Sequence, residues 1–194
     1  MRKTCLGLVL LLCYAQYALG QSDYRKGEIG ANVSIAGADT KGAFNSDNSR
    51  DGIYGFQVHG AYNFSRFWGL EAEVSYHQRH FDTPSIELHS KLTQVMAGIK
   101  FQENSNTTRY RPFAHALAGV AHASEFPRIV DISNVEVLSI RSGTGPAFVL
   151  GGGLDIRLNK KTELRVFQLD YNPSRIKGDV FQNVALGAGV NFRF

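Results

Sequence analysis

Leu186-Gly-Ala-Gly-Val-Asn-Phe-Arg-Phe194 closes a chain of 194 residues, and its alternation decides the fold. Read with a period of two, Val184, Leu186, Ala188, Val190, Phe192 and Phe194 share one face. Asn183, Ala185, Gly187, Gly189, Asn191 and Arg193 share the other. The stretch is therefore a strand with a greasy side and a small, polar side. The termini of soluble domains are usually frayed and polar. An aromatic in the last position of a strand, with Phe192 and Val190 in phase behind it, is expected where that end sits at a lipid interface.

Working back from this strand, the same period recurs in seven more segments, around 25–36, 52–64, 68–79, 88–102, 110–123, 144–158 and 162–172, with the last at 182–194. The second sets Tyr54, Phe56, Val58, Tyr62 and Phe64 against Gln57, His59, Ala61 and Asn63. The third sets Trp68, Leu70, Ala72, Val74 and Tyr76 against Glu71, Glu73, Ser75 and His77. The fifth, rich in Ala and Gly, is expected to turn Ala114, Ala116, Ala118 and Val120 outward, because that keeps His115 off the apolar side. The seventh changes phase: Leu164 and Val166 are apolar, and then so are Phe167, Leu169 and Tyr171, so a bulge at Val166–Phe167 is expected to restore one apolar face. Tight joins are expected at Ser65-Arg66 and Asn159-Lys160-Lys161, a somewhat longer one at 103–109, and long loops at 37–51, 80–87, 124–143 and 173–181.

Alternation alone also fits a soluble barrel with a greasy interior, such as a ligand carrier. Two features favour the inverse arrangement. The polar face combines Glu71, Glu73, Lys100, Asp155, Arg157, Arg165 and Asp170 with many small residues, which suits a lumen only as wide as its side chains. The apolar face carries Tyr62, Phe64, Trp68, Tyr76, Phe101, Tyr171 and Phe192 near strand ends, as an interfacial girdle does. The expected fold is all-β, an eight-stranded antiparallel up-and-down transmembrane β-barrel. Its lumen charges are expected to pair across the interior, for instance Glu71 or Glu73 with Arg157 or Arg165.

Residues 1–20 read as a cleaved signal peptide: Arg2 and Lys3, the apolar Leu6 to Leu12, then Ala18-Leu19-Gly20. The barrel domain would then be 21–194. Both cysteines, Cys5 and Cys13, fall inside that signal, so the exported domain is expected to have no disulfide and no cysteine metal site. Without Arg2 and Lys3 the chain carries 19 cations against 17 anions, a net +2 that is too mild to suggest a nucleic-acid partner. Beyond residue 20 no apolar run is long enough for a membrane helix.

The chain resembles the small outer-membrane β-barrel family, the OmpA-like or porin-family barrels of Gram-negative bacteria. Arg165-Val-Phe-Gln-Leu-Asp-Tyr171 is similar to that family's penultimate strand, Leu186 to Phe194 to its last, and Arg111-Pro-Phe113 to the start of its fifth. The resemblance implies an outer-membrane location and contact with outer-membrane lipid and lipopolysaccharide. It also implies insertion by the barrel-assembly machinery, with Val190, Phe192 and Phe194 as the C-terminal assembly signal. A monomer without cofactor is implied, with a structural or surface-interaction role carried by four extracellular loops; the C-terminal peptidoglycan-binding domain that OmpA itself carries is not expected, because this sequence ends with the barrel. Lys41, Arg50, Arg79, Arg128, Arg141, Arg175 and Lys177 in the loops suit an anionic outer leaflet or simple solvation.

Chemistry is sparse. His77 and His80 fall on opposite faces of a strand, and no cysteine accompanies the six histidines, so no metal site is expected. Gly151-Gly-Gly153 precedes no helix that would make it a phosphate cradle, and close packing is expected instead. One enzymatic alternative stands beside the non-enzymatic reading. His122 and Ser124 at the outer end of strand five, with Glu136 in the following loop, resemble the layout of lipid A deacylases, although Glu125 replaces the Asn that follows the serine there.

Overall fold

The computed structural model describes residues 24–39, 52–83, 86–132 and 135–194. The expected signal peptide and most of the first expected loop, with Lys41 and Arg50, lie outside the described residues. Eight antiparallel strands follow one another: β1 (Gly27–Asp39), β2 (Gly52–Asn63), β3 (Trp68–Thr83), β4 (Ile86–Gln102), β5 (Tyr110–Ile132), β6 (Val135–Arg157), β7 (Thr162–Ile176) and β8 (Asp179–Arg193). Each pairs with its sequence neighbours, and β1 pairs with β8 to close the barrel. The closing ladder runs from Glu28↔Arg193 to Asp39↔Gln182. Gly27 and Phe194 complete it with reciprocal backbone hydrogen bonds of 2.9 Å. Hydrocarbon offers the backbone no partners, so this absence of an open edge is what allows strands to cross a bilayer.

Side chains alternate as the sequence dictates. Val33, Leu150, Leu186 and Phe192 face outward, while Asn32, Glu71, Glu73, Lys100, Asp155 and Asn191 are buried inside. In β5, Ala114, Ala116 and Ala118 point out and His115 points in. The ladder between β7 and β8 slips between Arg165 and Gln168, so Val166 and Phe167 both face outward and the later residues stay in phase. That is the expected bulge. The ladder with β6 skips the same extra residue, pairing Leu154 with Phe167 and Asp155 with Arg165.

Three expected loops are corrected. Residues 124–143 are largely strand: β5 and β6 continue as a hairpin ladder from Phe126↔Arg141 to Ile132↔Val135, above a register slip after Ala123. The β-branched run Ile129, Val130, Ile132, Val135, Val137 and Ile140 sustains pairing there despite Pro127. Most of 80–87 is likewise ladder, as far as Thr83↔Ile86. At 173–181 there is no long loop, because β7 and β8 meet through Lys177-Gly178 alone. Both turn residues have positive φ, 50° and 91°, the geometry of a two-residue hairpin whose twist matches its strands.

The opposite end is built from short turns. Ser65 Oγ accepts the Trp68 N–H at 2.9 Å, and Asn159 Oδ1 accepts the N–H groups of Lys161 and Thr162, each at 2.8 Å. Each side chain stands in for a backbone acceptor and fixes its turn. Residues 24–26 run along this mouth, with the Asn63 amide donating to the Arg25 carbonyl and Tyr24 bridging to Ser105.

Candidate functional site

The interior is filled in tiers. At the short-turn mouth, Arg111 donates to Glu163 at 2.5 Å, to Asn104 at 3.0 Å and to the Glu103 carbonyl at 2.7 Å. Arg193 shares both acceptors, reaching Glu163 at 3.3 Å and Asn104 at 2.6 Å. Arg157 donates to the carbonyls of Ser105 and Asn106, so the 103–107 turn is drawn over the opening.

Above this lies an ion cluster. Lys100 meets Glu28 at 2.6 Å, and Arg165 approaches the same carboxylate at 3.5 Å. Arg165 also grips Asp155 with two donors, Nε at 2.8 Å and Nη2 at 3.1 Å. Gln102 and Asn191 complete the Asp155 shell at 2.9 and 3.1 Å. The Phe113 ring lies 4.1 Å from the Arg165 guanidinium carbon and 5.3 Å from the Lys100 nitrogen, so each cation has an aromatic face as well as a counter-ion. Buried charges persist only when paired and hydrogen-bonded in this way.

Next, His115 bonds Asp170 at 2.9 Å and lies 3.4 Å from Glu71. Gln168 ties this group together: it accepts from Arg165 at 2.7 Å and Asn32 at 3.0 Å, and donates to Asp170 at 2.6 Å. A Cβ on Gly151 would lie 2.0 Å from the Asp170 carboxylate and 2.8 Å from the His115 ring, so this position makes room for the pair. Toward the far end the filling turns apolar, with Leu92, Met96, Leu117, Ala121, Val149 and Ile176 packed together inside.

Glu71, Glu73, Lys100, Asp155, Arg165 and Asp170 are buried inside and Arg157 is part-buried at the short-turn mouth, and the partners differ from the suggested ones. Arg165 engages Asp155 and Glu28, Arg157 lies 4.0 Å from Glu163, Glu71 faces His115, and Glu73 receives a long 3.4 Å bond from Gln168. Sequence reasoning missed Glu28, Arg111 and Glu163, and it put Arg193 on the polar face without a partner; all four are buried charged groups that hold the cluster together.

The residues of the enzymatic alternative are not brought together. His122 lies on the outer face, with its ring bonded to Thr144 Oγ1 at 2.8 Å. Glu136 is a strand residue paired with Asp131, seven positions beyond Ser124, which at the strand rise is roughly 23 Å. Its side chain lies outside the described residues, as do those of His80 and His89. Among the described residues no three metal-binding side chains form a group.

The geometry of a closed barrel, polar inside and apolar outside, agrees with known proteins. Residues 6–194 match the family described as outer membrane protein beta-barrel domain. Among solved structures, the attachment invasion locus protein Ail of Yersinia pestis aligns with a TM-score of 0.59 at 17% identity, over 88% of this chain and 99% of that one. Ail has also been solved with the heparin analogue sucrose octasulfate, and that structure aligns at 0.58 and 18% identity, over 88% and 99%. Neisserial surface protein A aligns at 0.53 and 17%, over 87% of this chain and 97% of that one. No curated protein matches. The chain belongs to the outer membrane protein beta-barrel family, and its place is the outer membrane.

Proposed function

We propose that the chain is a non-enzymatic integral outer-membrane barrel whose lumen is plugged by its own side chains and whose outward hairpin ends carry a structural or surface-contact role. The observation that carries this reading is the stacking of an ion cluster, centred on Arg165, Asp155, Glu28 and Lys100, beneath an apolar cluster. Eight strands enclose only enough space for side chains, and the apolar cluster above the charges gives permeating ions little to replace their hydration.

The surface role rests on β5 and β6. Each is 23 residues long, roughly a dozen more than a tilted strand needs to cross the bilayer. Their shared hairpin therefore stands clear of the membrane, while β7 and β8 turn back tightly at Lys177-Gly178. A polyanion of the kind bound to Ail is one ligand that exposed Arg175 and Lys177 would suit.

The test is conductance. Purified protein in planar bilayers at high salt is expected to give no lasting steps above the lipid background, and liposomes containing it are not expected to swell in a small sugar. Long-lived steps of uniform size would overturn the plugged lumen.

A further inference from the structure

The short-turn rim carries charge that the interior does not use. Lys26 before β1, Arg66 between β2 and β3, Arg109 between β4 and β5, and Lys160 and Lys161 between β6 and β7 are all exposed. The one carboxylate side chain in these described turns is Glu103, half-buried and paired with Arg66, whose guanidinium holds the carboxyl below its usual range. Glu163 is buried behind Arg111 and Arg193. Among the described residues, Lys26, Arg109, Lys160 and Lys161 have no carboxylate within ion-pair distance.

These cations sit beside an outward-facing aromatic belt. Trp68 packs edge-on against Phe101 with ring centroids 5.0 Å apart, and Phe101 stacks on Phe67 at 5.9 Å. The Arg66 guanidinium lies over the Phe67 ring at 5.3 Å, and Arg109 over Tyr110 at 5.9 Å. Exposed aromatics of this kind settle at headgroup depth, so the adjacent cations lie where lipid phosphates lie. The cations also come from every hairpin end around the circumference. An acidic protein would dock against one side, whereas a lipid shell meets all sides at once.

We propose that this rim is a basic collar that binds the headgroups of anionic phospholipids in the leaflet it faces. Which leaflet that is rests on the proposed function, in which the long β5–β6 hairpin faces outward and the short turns face inward. The test is therefore made in bilayers with the same lipid in both leaflets.

Trp68 is the chain's single tryptophan, and the Asn104 N–H donates to the Arg66 carbonyl at 2.8 Å, so the turns bearing Arg66 and Arg109 adjoin beside it. In nanodiscs of phosphatidylcholine doped with either brominated phosphatidylglycerol or brominated phosphatidylcholine, quenching of Trp68 reads which lipid sits there. With Arg66 offset by Glu103, one net cation remains nearby, which predicts a preference of about fivefold for phosphatidylglycerol at low salt. The preference should vanish in R66Q/R109Q and persist in R66K/R109K, with folding checked by heat-modifiable migration on gels. Equal quenching of the wild-type chain by both lipids, as expected if the collar meets an acidic protein instead, would overturn the proposal. So would a preference that survives in R66Q/R109Q.

Discussion

Asp155 is the point at which the interior can be taken apart quantitatively. It is 0% exposed and receives two donors from Arg165 and one each from Gln102 and Asn191, at 2.8 to 3.1 Å. Asp155→Ala leaves a buried guanidinium without its bidentate partner, and breaking such a pair costs about 3–5 kcal/mol. Arg165 keeps Gln168 at 2.7 Å and Glu28 at 3.5 Å, so the lower end, about 3 kcal/mol, is expected. Arg165→Met strands Asp155 in the same way and is expected to cost a similar amount. Removing both takes the Asp155 acceptor from the Gln102 and Asn191 amides, at about 1 kcal/mol each, although Gln102 keeps the Arg111 carbonyl at 3.3 Å. The double variant is therefore expected to lose about 2 kcal/mol, against about 6 for the sum of the singles. Reversible urea unfolding in detergent–lipid vesicles, followed by Trp68 fluorescence, supplies the three numbers. Additive losses, or an Asp155→Ala protein within about 0.5 kcal/mol of wild type, would refute the paired network.

Two further outcomes follow from the outer end. Gly178 has φ +91°, so Gly178→Val should cost about 1–2 kcal/mol and Gly178→Asn clearly less, read from the same unfolding midpoints. Equal losses for both would show that the turn is not held in that conformation. Ser124→Ala should leave the acylation of lipid A unchanged in mass spectra of whole-cell lipid, since the ladder holds Glu136 far from Ser124. A gain of acyl chains in that variant would restore the hydrolase reading.

The barrel was legible in the sequence because each strand faces lipid on one side and a packed interior on the other, which forces a period of two. The doubled apolar pair Val166–Phe167 was legible for the same reason: only a bulge reconciles it with a single greasy face. What misled was punctuation. Pro127 and Arg128 read as loop, yet they lie in a hairpin whose β-branched partners pair without a membrane to demand it. Residues 173–181 read as a long loop, whereas the chain reverses at Lys177-Gly178 alone. The charge partners were illegible because they depend on closure. Glu28 in β1 reaches Lys100 in β4 and Arg165 in β7 only when the sheet is rolled shut. Arg193 is drawn in by its pairing with Glu28 across the seam.

A nitroxide scan along β7 and β8 in a bilayer examines the orientation of the two faces most directly, with collisions against oxygen reporting lipid and a nickel chelate reporting water. Oxygen access is expected at 164, 166, 167, 169 and 171 and again at 184, 186, 188, 190 and 192, with shielding from both reagents at 165, 168, 170, 185, 189 and 191. Two successive lipid-facing positions at 166 and 167 would mark the bulge. Nickel access along the Val184–Phe192 face, or no alternation at all, would contradict a barrel that turns its apolar side to lipid and its charges to a sealed interior.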